Sequence, residues 1–235
     1  MTVLYGSSFV GEHSGLGVGM RARYFQATGG IPGWPEVGDQ FGFSLATGDF
    51  EGDGFDDLVI GSPLESLGNR SHSGWITVLP GSASGLIANQ ASVLHQNTPG
   101  IEGQAEPWDR FGWSLAADDF DGDGRDDLAV GIPYEHQGDM DDSGLVHILY
   151  GSSVGLSGVS DWLFGQSQLG GVGGGAGAEP DDNFGFSLAS GDIDNDGFAD
   201  LVVGAPKEDT GSARNTGAFH TVFGSASGLS STGAR

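Results

Sequence analysis

The chain has 235 residues, 32 acidic against 8 basic side chains, a formal net charge of -24, 45 glycines and no cysteine. Such a charge excludes a phosphate-reading surface, which is built from Lys and Arg; the lack of thiols excludes a disulfide scaffold, a Cys-held zinc site and a thiol nucleophile. No apolar run approaches the ~18 residues that a membrane-spanning helix needs, while a hydrophobic fraction of 37% is enough to build a core.

The chain opens on a short extended run, Thr2–Ser8 (TVLYGSS), followed by a variable segment with a strand expected at Arg23–Gln26. At Phe41 the first of three closely similar segments begins: Phe41–Pro63, Phe111–Pro133 and Phe184–Pro206 align without gaps. The opening run recurs in phase at Ile76–Leu86, Val146–Leu156 and His220–Leu229, each time with a Gly-Ser turn. A repeat of roughly 70 residues is too long for one rung of a β-helix and suits a four-stranded blade with long loops. Within each repeat, strand one is expected over Phe-Gly-x-Ser-Leu-Ala, strand two over Asp-Leu-x-Val-Gly and strand three over Val-Leu-x-Gly. Strand four is expected at Ser92–Gln96 and Trp162–Gln166, with Gly, Pro, Asn and Asp clusters bounding every run. The fold class is therefore all-β, a propeller of four-stranded blades. Residues 1–40 hold strands three and four of a partial blade, 41–110 and 111–183 are complete blades, and 184–235 hold strands one to three of another.

Between strands one and two each repeat carries an acidic loop. The first has Asp49, Glu51, Asp53 and Asp57; the second Asp119, Asp121, Asp123 and Asp127; the third Asp192, Asp194, Asp196 and Asp200. Carboxylates thus stand at positions 1, 3, 5 and 9, with glycine at position 6 for a sharp turn and a backbone carbonyl at position 7 (Phe55, Arg125, Phe198). Oxygens spaced by two along a curling loop converge on one point, which is how a hard cation of calcium's size is wrapped. No His or Cys lies in the loops, which disfavours zinc and copper. An EF-hand needs Glu at position 12 and flanking helices; position 12 is Ile60, Val130 and Val203, between strands. Solvated acidic turns are the plain alternative, but three loops of one spacing favour calcium, about three ions per chain.

Phe-Gly, the acidic loop and the Gly-Ala-Pro of Gly204–Pro206, with variants at Gly61–Pro63 and Gly131–Pro133, resemble FG-GAP repeats, the blades of the β-propeller in integrin α-subunits. The Gly-Ser-x-x-Gly-Leu element is similar to bacterial members. The resemblance implies that the ions rigidify blade hairpins on one face and that their role is structural.

No catalytic constellation is found, and the chain is expected not to be an enzyme. Gly81–Gly85 centres on Ala83, not on the Ser of a nucleophile elbow, and the six His residues form no repeated metal pair. Trp113 replaces Phe43 and Phe186 and is expected in the core; Trp34 and Trp108 are expected to pack within their loops.

About thirteen strands do not close a ring, and an open arc leaves exposed edges. The expected partner is either the remaining blades of a longer propeller, which fits a chain with Met1 directly before a strand and no visible signal peptide, or a second copy in a homodimer. The expected function is a calcium-binding adhesion or recognition module with a protein or carbohydrate ligand, outside the cell, without nucleic acid or a membrane span. The alternatives are the non-catalytic repeat region of a larger secreted enzyme and a purely structural scaffold.

Overall fold

The computed structural model describes residues 1–6, 16–169 and 177–231. Among them, antiparallel strands fall into four sheets. The first is a hairpin of β1 (Thr2–Gly6) and β2 (Leu16–Arg23). The second runs in order through β3 (Leu45–Gly48), β4 (Asp57–Ser62), β5 (Trp75–Leu79) and β6 (Ser92–Leu94). The third repeats it with β7 (Ser114–Asp118), β8 (Asp127–Ile132), β9 (Leu145–Tyr150) and β10 (Ser157–Phe164). The fourth has three strands, β11 (Ser187–Gly191), β12 (Asp200–Ala205) and β13 (Ala218–Val222). The fold is all-β, with the sheets arranged as blades of an incomplete propeller.

The second strand of each blade explains the stacking. Every residue of β4 and of β8 is buried, because alternate side chains enter two different cores. Leu58 and Ile60 join Leu79 and Ile31 on one side of β4, while Val59 faces Phe111, Leu128, Val130 and Ile132 of the next blade on the other. Ala129 in turn faces the core shared with the fourth sheet, which contains Phe184, Leu201, Val203 and Val222. The cores therefore lie between blades.

Two expectations about strand limits are corrected. Phe-Gly does not begin strand one: it forms a turn ahead of β3, β7 and β11. At Gly112 φ is +83°, and a Cβ there would press on Ile76 and on the Trp75 carbonyl of the preceding blade. At Gly61 a Cβ would overlap the Ser44 Oγ and the Gly112 carbonyl oxygen, the two atoms joined by a 2.6 Å hydrogen bond donated by Ser44. Ser114 and Gly185 repeat this bond at 2.6 Å across the next joint. Phe-Gly of one blade thus rests on the Gly-x-Pro of the blade before, where no side chain fits. Secondly, the first strand four lies at Leu16–Arg23 and not at Arg23–Gln26; Gln26 is instead a buried side chain donating to Glu65 at 2.6 Å. The other fourth strands begin or end earlier than expected, at Ser92–Leu94 and Ser157–Phe164.

Candidate metal loops

The acidic loops join β3 to β4, β7 to β8 and β11 to β12, so all three lie at the same end of their blades. Position 1 organises each loop as a turn in which the carboxylate accepts backbone N–H groups. Asp49 accepts from Asp53 N at 2.9 Å and from Gly54 N at 2.7 Å. Asp119 accepts from Gly122 N, Asp123 N and Gly124 N at 2.7, 3.2 and 2.9 Å. Asp192 accepts from Asp196 N and Gly197 N, both at 3.1 Å.

Position 9 starts the second strand and is buried in every loop. It ties the loop to the Gly-Ser turn after strand three: Gly81 N donates to Asp57 at 2.8 Å, Gly151 N to Asp127 at 2.9 Å and Gly224 N to Asp200 at 3.0 Å. Asp127 and Asp200 also accept from Phe120 N and Ile193 N. Asp57 Oδ2 has no donor although it is buried.

The loops converge on different sets of oxygens. Asp119, Asp121 and Asp127 each place a carboxylate oxygen within 4.8 Å of one another, and Asp192, Asp194 and Asp200 do the same. Position 5 stands outside these groups: Asp123 faces the Arg125 N–H and guanidinium at 2.9 and 2.6 Å, and Asp196 accepts from Phe198 N at 3.0 Å. In the first loop Asp53 likewise accepts from Phe55 N at 2.9 Å. There Glu51 lies against Asp57, and that neighbour, with burial second, raises the Glu51 carboxyl. Burial pushes Asp127 up to about 7, against the N–H bond from Gly151 that lowers it. Burial also raises Asp121. These are acceptors crowded close enough to repel one another and matched, among the described residues, by no cationic donor except at Asp123, the condition a divalent cation relieves. The donor set is all oxygen, which fits calcium.

The first and second loops also reach the next blade. Asp126 N donates to the Asp49 carbonyl at 3.1 Å, and Asp126 Oδ2 accepts from Asp49 N at 2.8 Å. Ser152 N donates to the Phe50 carbonyl at 3.1 Å, and Ala199 N to the Asp119 carbonyl at 3.1 Å. Arg125 covers Gly52 and Phe198 covers Gly122, so position 7 of the second and third loops lies over position 4 of the loop before. Reasoning from sequence missed the clasp by Asp126; its signal was the extra acid at position 8, present as Asp56 and Asp126 and absent at Ala199.

At the opposite blade end, Trp113 is half-buried against Phe43, Phe186 and Tyr134, with ring centroids 4.7, 5.3 and 5.3 Å away, and Arg110 lies 4.0 Å over Tyr134. It is not in the core as expected, because it projects from the Phe-Gly turn and not from a strand. Trp34 is 80% exposed and Trp108 52%, so neither is absorbed by its loop.

The family model "FG-GAP repeat" matches residues 41–79, 111–149 and 184–222. The chain is 32% identical over 194 residues to integrin alpha-PS2 of Drosophila melanogaster, covering 80% of this chain and 12% of that protein. To integrin alpha-V of Gallus gallus it is 36% identical over 176 residues, 72% of this chain and 15% of the relative. To phosphatidylinositol-glycan-specific phospholipase D of Rattus norvegicus it is 32% identical over 167 residues, 71% of this chain and 18% of the relative. The matches thus span less than a fifth of the length of these curated relatives.

Proposed function

The chain belongs to the FG-GAP repeat proteins, and we propose that it is a calcium-stabilised, non-catalytic propeller module for adhesion or for recognition of a protein or carbohydrate ligand. The observation that carries this reading is the coupling of neighbouring acidic loops across the joints between blades. An ion held by Asp119, Asp121 and Asp127, or by Asp192, Asp194 and Asp200, would fix a loop that also sets a joint between sheets. The Arg125 and Phe198 carbonyls are further ligands in this reading, with Asp123 and Asp196 turning inward on binding. Asp49, Glu51, Asp53, Asp57 and the Phe55 carbonyl form the first site. A bound ion supplies charge and oxygen coordination, so its part is structural.

The binding surface in this reading is the end opposite the metal loops, where Trp34 and Trp108 are exposed. Residues 1–40, 41–110, 111–183 and 184–235 are the blade divisions. The open edges at β13 and at the two-stranded first sheet are met by further blades or by a second copy in a homodimer. Abundant free calcium places the module outside the cell; among the described residues no helix is long and apolar enough to cross a membrane. A second reading, the non-catalytic repeat region of a larger secreted enzyme, is favoured by the likeness to a phospholipase D.

Calorimetric titration of metal-stripped chain with calcium tests the proposal. It expects about three sites per chain, reduced by one in Asp127→Asn. Absence of calcium-dependent heat, with no change in Tm on chelation, would sink it.

A further inference from the structure

Away from the metal loops, a second acidic feature repeats three times and has no part in the reading above. Where one sheet meets the next, a Gln that follows the fourth strand of one blade donates to a Glu in the loop after the second strand of the next. Gln26 Nε2 reaches Glu65 at 2.6 Å, Gln96 Nε2 reaches Glu135 at 2.7 Å, and Gln166 Nε2 reaches Glu208. An Asp just before Phe-Gly joins each pair: Asp39, Asp109 and Asp182. One of its oxygens accepts a backbone N–H from three residues earlier, from Glu36 at 2.5 Å, from Glu106, and from Glu179 at 2.6 Å. The Asp109 carboxyl lies close enough to that of Glu135 for the two to repel, as Asp182 does to Glu208 and Asp39 to Glu65. All nine side chains are buried, none more than 8% exposed.

We propose that each of these joints is closed by an Asp–Glu carboxyl pair holding one proton, so that the blade joints tighten in mild acid and loosen as that proton leaves. Two ionised carboxylates offer only acceptors, and a hydrogen bond between them requires a proton on one. Asp109 Oδ1, Glu208 Oε1, Gln96 Oε1 and Gln166 Oε1 are buried without a partner, so the second and third joints are short of donors. The glutamine supplies one N–H and no charge. Among the described residues no Lys or Arg pairs with the six carboxyls: Lys207 lies 3.9 Å from Asp181, and Arg110 stacks on Tyr134. The groups facing the pairs are mostly acidic, Glu36 at the first joint, Glu106 at the second, and Glu179 and Asp209 at the third; His136 faces Glu135 as the one opposing charge when protonated. Burial, the largest cause, pushes Glu65 up to about 7 and Asp182 to about 6. It raises Asp109, Glu135 and Glu208 in the same direction. The unfolded carboxyls titrate near about 4, so the folded chain holds these protons more tightly, and the stabilisation is lost as pH rises through the folded values.

The test uses the full chain at saturating calcium, with 13C-labelled Asp and Glu carboxyls followed by NMR from about pH 4 to about pH 9. One titration per joint is expected near neutrality. Asp109→Asn should remove one of them, and hydrogen exchange across residues 95–110 and 133–144 should then no longer speed up with pH beyond the intrinsic rate. If every Asp and Glu carboxyl ionises below about pH 5, the proposal is overturned, whatever the fate of the variant. Shifts of these carboxyls on adding calcium to metal-stripped protein would overturn it as well, because the joints would then be ion sites.

Discussion

The two ends of each blade handle buried acid in opposite ways. At the loop end, Asp119, Asp121 and Asp127 crowd their oxygens together around space that solvent reaches, and the backbone N–H groups around them leave lone pairs free. At the other end, Asp109 and Glu135 are withdrawn from water and face each other with a glutamine as their neutral companion. Crowded acids in reach of water can gain a cation, whereas acids sealed from water keep a proton. The same residue types thus serve two kinds of joint, and the difference lies in access and in the companion side chain.

Chelation should break the comparison most strongly, since it acts at one end only. A ligand at a hundred times its Kd stabilises by about 2.7 kcal/mol per site, and a domain of this size moves by about 2–4 °C per kcal/mol. Stripping calcium should therefore lower Tm by roughly 20 °C in a calorimetric scan, summed over about three sites. Leu128→Ala, which empties part of a core between two blades and removes no carboxyl from either end, should cost about 2–5 kcal/mol in urea denaturation. It should leave the calcium stoichiometry unchanged. At saturating calcium, raising the pH from about 5 to about 8 should lower the urea midpoint, because Glu65 and Asp182 lose protons that the unfolded chain never held in that range. Calcium affinity should rise over the same interval, as protons cease to compete for the loops. The smallest effect is expected from Glu51→Asp, which gives the first loop the carboxylate length of the other two. Its calcium affinity should increase severalfold by titration, while Tm at saturating calcium moves by about 1–2 °C.

Much of this was legible in the chain itself. The threefold recurrence of Phe-Gly, an acidic loop with carboxylates at positions 1, 3, 5 and 9, and Gly-x-Pro placed the second strands and the acidic loops at their observed positions, because those features are local and their glycines and acids have fixed geometric uses. The Phe-Gly turn was misplaced into a strand because Gly112 serves a contact with Gly61 of another blade, which no window around Gly112 contains. The proton-holding joints were missed for a similar reason. Gln96 and Glu135 are 39 residues apart and sit in loops of dissimilar sequence. Only an alignment of those loops, setting Gln26, Gln96 and Gln166 in register with Glu65, Glu135 and Glu208, would have drawn attention to them. Trp113 was expected in the core from the residues it replaces, Phe43 and Phe186, but those too are at least a third exposed.

The all-buried second strand has one more consequence. Leu58 and Ile60 serve one core and Val59 the other, so inserting a single residue into β4 would send each side chain into the wrong compartment on both sides at once. Such a wall tolerates no small edits to its length. What it does tolerate is the addition or loss of an entire panel, since each panel brings its own wall and half of two rooms. An architecture of this kind changes size in steps of a whole blade, and the loops between strands are where residues can come and go one at a time.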